Sequence, residues 1–226
     1  VVRLIRVAEV LPKLYAVVSY GLSSNSYVIM SEPPVIVDTG LSEVTNRITE
    51  LLAGKEAVVV FTHAHFDHTG GFKLLSKRIE CYTVASREDG EALVKGDESR
   101  ILHRFFGIRE YRINIDRFVK EGSVIEAGSY RFTVLETPGH TPGSICLYDR
   151  EHRILISGDT VFTGGGVGRV DFPGGSFSRL LASVRRLASL DVRVLLPGHG
   201  SIETRDGGSE IKLALMMVER IGASFF

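Results

Sequence analysis

The chain has 226 residues, 44% of them hydrophobic and 24% charged, enough to bury a substantial core. Twenty-seven basic residues balance twenty-seven acidic ones, so the electrostatic footprint of a protein that grips duplex nucleic acid or an anionic membrane is absent. The longest uncharged run, residues 14–31, contains five serines and an asparagine, which excludes it as a membrane span.

Arg3, Arg6, Glu9 and Lys13 leave no apolar core for a secretory signal. Two cysteines, Cys81 and Cys146, cannot make a disulfide framework and are expected as buried free thiols in strands. A soluble, cytoplasmic protein is the expectation. There is no Gln, Asn occurs three times, and 20 of the 27 basic residues are Arg; depletion of thermolabile amides points to a thermophilic host.

The chain opens on β-branched or aromatic runs at residues 5–10, 14–20, 25–30 and 35–38, separated by Pro, Gly and Ser, which predicts strands. A helix follows, with Ser42 placed to cap it, Leu41, Val44, Ile48, Leu51 and Leu52 at helical spacing, and Gly54 to stop it. Residues 57–62 form an apolar strand of the buried kind that runs directly into His63. Gly70-Gly71 opens another short helix, and residues 80–84 are a further strand. Residues 86–120 carry six arginines and are expected as helices or a cap rather than central sheet. Strand character returns at 130–136, 145–149 and 153–157. Ser176 then begins an amphipathic helix with Phe177, Leu180, Leu181, Val184, Leu187 and Ala188 on one face. Residues 192–196 are a last strand, and the tail from Asp206 sets Ile211, Ala214, Leu215, Val218 and Ile221 on one helical stripe. No linker breaks the chain, so one layered α/β domain over residues 1–226 is expected.

The histidines carry the chemistry. Three of seven fall in His63-Ala64-His65-Phe66-Asp67-His68, and His140 and His199 stand in the Gly-rich turns Thr137–Gly143 and Pro197–Gly200. Asp159 follows an apolar strand in Ser157-Gly158-Asp159-Thr160. Each lies just past a predicted strand, so all can converge at one end of a sheet. His63 and His65, two apart in an extended segment, point to one side and can share a cation; Asp67 and His68, after a turn, can face a neighbouring one. Imidazole and carboxylate suit zinc, with iron, manganese or cobalt as alternatives. No Cys stands near the motif, and seven ligands are too many for one tetrahedral ion. Two metals sharing Asp159 use them all.

In these four segments, taken in order, the chain resembles the metallo-β-lactamase superfamily, with Asp38-Thr39-Gly40 similar to the family's early Asp-Thr-Gly turn. The resemblance implies an αββα sandwich with the site along one edge. It further implies one metal on His63, His65 and His140, a second on Asp67, His68 and His199, and Asp159 bridging. The main zinc β-lactamases have Cys where this chain has Asp159, so hydrolysis of that kind is not expected. Thr137–Gly143 and Gly168-Arg169-Val170-Asp171-Phe172 resemble segments of single-domain relatives of glyoxalase II, the hydroxyacylglutathione hydrolases; the second segment is shared with persulfide dioxygenases. Twenty-seven residues follow His199, so the helical domain that supplies much of the glutathione site in full-length glyoxalase II is not expected.

Two-metal hydrolysis of a thioester of the acylglutathione kind, or another ester, is therefore expected, with Asp67 and Asp159 as the catalytic carboxylates that balance charge and orient hydroxide. A lactonase or phosphodiesterase on the same site stays open, as does a mono-iron persulfide dioxygenase. A metal-stabilised binding protein is disfavoured, because no ligand position is degenerate. The partner is a small molecule; a homodimer stays open. Arg169 can grip an anionic substrate group or pair with Asp171, and the pairing is favoured. Gly164-Gly165-Gly166 is expected as a flexible turn beside Asp159, Asp38 as a support or turn residue, His103 and His152 as surface residues, and the Arg-rich stretch 100–117 as a solvated helical face.

Overall fold

The computed structural model describes residues 5–52 and 56–223, with side chains described up to residue 220. The first four β-branched runs fold back on one another as an antiparallel meander: β1 (Ile5–Leu11), β2 (Leu14–Ser19), β3 (Ser26–Ile29) and β4 (Val35–Val37). α1 (Ser42–Leu51) buries Val44, Thr45 and Ile48 and carries the chain across to β5 (Glu56–Val60), which pairs parallel with β4. The helix begins one residue earlier than predicted. Leu41 occupies the cap position, Ser42 makes no capping bond, and the Leu41 amide donates to Ser23 Oγ (2.8 Å). Gly54 lies outside the described residues.

Two single-turn helices follow, α2 (Phe66–Thr69) and α3 (Phe72–Leu75), and then β6 (Glu80–Ser86), parallel to β5. Residues 86–120 form α4 (Arg87–Lys95), α5 (Glu98–Ile101) and a 3-10 turn at His103–Phe106, and then close the first sheet with β7 (Arg117–Val119). That edge strand was not predicted. Arg117 and Phe118 are exposed and Val119 alone is buried, so it has none of the alternation that reveals a strand. The second sheet starts with another short edge strand that the sequence did not mark, β8 (Val124–Ala127). It continues through β9 (Tyr130–Glu136), β10 (Ile145–Asp149) and β11 (Ile154–Gly158), all antiparallel. Ser176 caps α6 (Phe177–Leu187) by accepting from the Arg179 amide, and α6 leads to β12 (Val194–Pro197), parallel to β11. α7 (Gly207–Ala223) ends the described chain.

The layers are αββα. Alternate residues of both sheets meet between them, including Leu14, Tyr27, Val37 and Val60 from the first and Phe132, Leu147, Ile156 and Leu196 from the second. The outer face of the first sheet packs on α1, α3 and α4 through Val44, Ile48, Leu75 and Leu93. The outer face of the second packs on α6 and α7 through Leu180, Val184, Ile211 and Val218. Each fully buried side chain of this size contributes roughly 1.5–3 kcal/mol, so the burial of three apolar interfaces dictates the four layers. Register levels the strand ends: Val37 pairs with Val60, and Val60 with Val84. The loops after β4, β5 and β6 therefore leave the first sheet at one edge.

Three smaller expectations change. His103 is buried, not a surface residue, with Nδ1 2.8 Å from the Ile108 carbonyl. His152 is half-buried and bonded to Asp149. The triple glycine is no loose turn: the Gly164 amide donates to Glu210 (2.6 Å), and Gly165 lies so close under Met217 and Leu213 that a Cβ would collide with them. Cys146 is buried and Cys81 half-buried, both free, and burial pushes both thiols up to about 11. No described helix is long and apolar enough to cross a membrane.

Candidate metal centre

Every residue singled out in the histidine motifs leaves the C-terminal end of a strand or the turn just after it. His63, His65, Asp67 and His68 follow β5; His140 follows β9; Asp159 follows β11; His199 follows β12. The structure brings all seven into one cluster at the sheet edge. His63, His65 and His140 converge as one group of donor atoms, His63, His68 and Asp159 as a second, and Asp67, His68 and His199 as a third. His65 Nδ1 stands 3.1 Å from His63 Nε2 and 2.9 Å from His140 Nε2. His199 Nε2 is 3.0 Å from Asp67 Oδ2 and 3.3 Å from His68 Nε2. Asp159 lies between these subsets, with Oδ1 3.2 Å from His68 Nε2 and Oδ2 3.6 Å from both His140 Nε2 and His199 Nε2.

The outward ring nitrogens are held from behind. His68 Nδ1 meets Asp38 Oδ2 at 2.7 Å, His140 Nδ1 meets the Arg169 carbonyl at 2.6 Å, and His63 Nδ1 lies 3.1 Å from Thr62 Oγ1. Such contacts fix ring orientation and turn the second nitrogen inward. Asp38, in the left-handed region at φ 57°, also accepts from the Thr62 amide and hydroxyl. The backbone clamps the same loops. The His68 carbonyl accepts from the Thr39 and Gly40 amides, and Asn25 Nδ2 and Tyr27 Oη both donate to the Pro197 carbonyl beside His199.

The cluster is electrostatically divided. Burial and the neighbouring rings hold His63 well below the ordinary imidazole value, and burial with His140 takes His65 down to about 3. Burial works against charging His68 and His199, but the carboxylates around them, Asp159 foremost, outweigh it and raise both. Asp67 and Asp159 are lowered: burial opposes ionisation, and the charge of His68 overrides it in both.

These residues fit a metal-binding set. Asp159 Oδ1 is buried and accepts no aligned hydrogen bond, an arrangement that leaves a carboxylate oxygen short of a partner. Imidazole nitrogens and carboxylates aimed at one another at about 3 Å are a donor set of the kind that zinc and iron take. The backbone is also cut back to make room. A Cβ on Gly198 would lie 2.1 Å from Asp159 Oδ1, and one on Gly168 would lie 2.8 Å from His140 Nδ1.

Five of the seven, His65, Asp67, His140, Asp159 and His199, form the floor of a cleft of about 570 Å³. Arg169 lines it, but its guanidinium is exposed and paired with Asp171 at 2.9 and 2.6 Å, as favoured from the sequence.

Sequence reasoning missed Asp89. Its carboxylate is buried, takes the amide of Ala64 (3.0 Å) between His63 and His65, and takes Thr141 Oγ1 (2.6 Å) next to His140. Oδ1 accepts from the Gly143 amide (3.0 Å) and from Arg100 Nη2 (2.7 Å). Arg100, expected on a solvated face, is four-fifths buried against it. The only local signal was Ser86 at the start of α4, whose Oγ accepts from the Asp89 amide. Nothing local tells where the carboxylate goes, because its partners are 25 and 52 residues away.

A family model described as the metallo-beta-lactamase superfamily matches residues 19–199. The probable metallo-hydrolase MJ0888 of Methanocaldococcus jannaschii is 35% identical over 205 residues, covering 86% of this chain and 96% of that one. The hydroxyacylglutathione hydrolase GloC of Haemophilus influenzae is 32% identical over 179 residues, 75% of this chain and 81% of its own. Among solved structures, TTHA1623 in a di-iron-bound form is 31% identical with a TM-score of 0.68, covering 87% of this chain and 93% of that one.

Proposed function

Since the chain belongs to the metallo-β-lactamase superfamily, we propose that it is a dinuclear-metal hydrolase acting on a thioester or another ester of a small molecule. The single observation that carries the reading is the position of Asp159, whose two carboxylate oxygens face different subsets of the cluster. In this reading His63, His65 and His140 hold one cation, Asp67, His68 and His199 hold the other, and Asp159 joins them. Two divalent cations held there would supply hydroxide at neutral pH, by lowering the pKa of bound water to about 7, together with an electrophile for the carbonyl oxygen.

The chain's own residues do the rest. Asp67 and Asp159 offset the positive charge and orient the nucleophile, while Asp38, Thr62 and the Arg169 carbonyl keep the imidazoles turned inward. His63, His65, His68 and His140 are buried, which strengthens the interactions made through them. Hydrolysis of an acylglutathione is supported by the likeness to GloC. Zinc suits the donor set, and the di-iron form of TTHA1623 brings iron in beside it. Amide depletion supports a heat-stable protein, melting with metal bound above the roughly 45–65 °C usual for mesophile domains; a calorimetric transition inside that range contradicts this.

The competing chemistry is oxygen-dependent. Apoprotein restored with zinc, manganese or cobalt is expected to hydrolyse thioesters under strict anaerobiosis. Oxygen uptake by the iron form with glutathione persulfide, with no anaerobic hydrolysis by any metal form, overturns the proposal.

A further inference from the structure

The cleft above the cluster has a polar floor and apolar walls. Phe172 packs edge-on to His65 with ring centroids 5.6 Å apart, and Phe162 stands over His199 at 6.1 Å. Phe105, in the 3-10 turn after α5, faces Phe172 at 6.3 Å, and Leu22 approaches from the β2–β3 loop. Phe105 is 76% exposed and Leu22 78%. Large apolar side chains left so open in the lining of one cleft, over a cluster of metal-ligating groups, gain free energy when a ligand covers them.

The cation in these walls is already committed. Arg169 makes two bonds to Asp171, and its guanidinium lies 4.4 Å over the Phe172 ring. It serves the wall as an apolar stack and holds no free fork for a carboxylate or phosphate. A substrate seated here meets carbon along the walls.

We infer that the substrate carries an apolar acyl group, an alkyl or aryl chain lying against Leu22, Phe162 and the Phe105–Phe172 pair. The inference rests on the hydrolase reading above and adds the substrate class. In the reaction, the oxygen of water adds to the thioester carbonyl carbon, the carbon–sulfur bond breaks, and of the two protons of that water one goes to the thiolate and the other to solvent. The products are a carboxylate and a thiol, with no redox change. The thiolate gains from facing solvent, so the acyl group is the part left to lie along the walls.

The test uses the full chain loaded with zinc and thioesters of N-acetylcysteamine, a small uncharged thiol, with acetyl, butanoyl and hexanoyl groups. Burying each methylene predicts a rise in kcat/KM of about two- to fourfold, hence roughly sixteenfold or more from acetyl to hexanoyl. Phe105→Ser should lose at least half of that rise on a logarithmic scale. Met216→Ser, exposed on α7 and not part of the cleft lining, should keep it. A glutathione thioester of the same acyl group should gain nothing. Calorimetry of acetate, butanoate and hexanoate on the zinc protein reads the same preference without turnover.

If no thioester is hydrolysed while carboxylate affinity still climbs with chain length, the hydrolase reading fails and the apolar wall stands. A flat or falling series in both measurements overturns the inference. So does a preference of tenfold or more for the glutathione thioester.

Discussion

Asp38 Oδ2 sits 2.7 Å from His68 Nδ1, both of them buried, and this contact decides that His68 presents Nε2 to Asp67, Asp159 and His199. The Asp-Thr-Gly turn is thereby joined to the motif 25 residues further on. Asp38→Asn is the informative change, because Asn tolerates the left-handed backbone at this position while leaving one carbonyl oxygen to serve both His68 and the Thr62 amide. Weaker binding of one of two metals, by about 10–100-fold, is expected from losing such a support. A competitive chelator titration reads it; two affinities equal to those of the parent protein contradict it.

Gly198 shows how closely backbone and carboxylate pack. Its missing Cβ would lie 2.1 Å from Asp159 Oδ1 and 2.7 Å from His68 Cε1. Gly198→Ala must move Asp159 or the His199 loop, and a displacement of about 1 Å in a reacting group costs on the order of a hundredfold in rate. The expected result is that loss in kcat/KM with an unchanged far-UV spectrum. Near-normal turnover would show that Asp159 can shift without consequence.

Much of this layout was legible because it is local. The bounds of β9 and β10 and the Ser176 cap follow from short runs of strand character and from one hydroxyl at a helix start. The seven residues of the cluster could be selected because their spacing within short segments is itself the signal. What was hidden is non-local or unpatterned. β7 has one buried residue out of three. His103 sits among charges in sequence and under Tyr111 in space, with ring centroids 6.5 Å apart. Asp89 and Arg100 look like helix-surface residues until the loops after β5 and β9 close over them. Ser42 was a reasonable cap that lost to Ser23, which reaches the Leu41 amide from another loop.

The Asp89–Arg100 pair makes a stability prediction. Removing one partner of a buried ion pair costs about 3–5 kcal/mol, and Asp89 also accepts from Ala64, Thr141 and Gly143. Asp89→Ala should lower the melting temperature by roughly 6–20 °C, at 2–4 °C per kcal/mol for a chain of this size. Asp89→Ala combined with Arg100→Met should recover part of the loss, since no unpaired guanidinium then remains buried. A double variant less stable than Asp89→Ala alone would show that Arg100 does not depend on this carboxylate.

The most direct test of a dinuclear centre is a titration of the apoprotein with zinc, following hydrolysis of one thioester against metal added per chain. Seven converging donors with Asp159 between them predict that activity reaches its plateau only at two equivalents. A plateau at one equivalent, with no further gain as the second ion is added, would contradict the two-metal account.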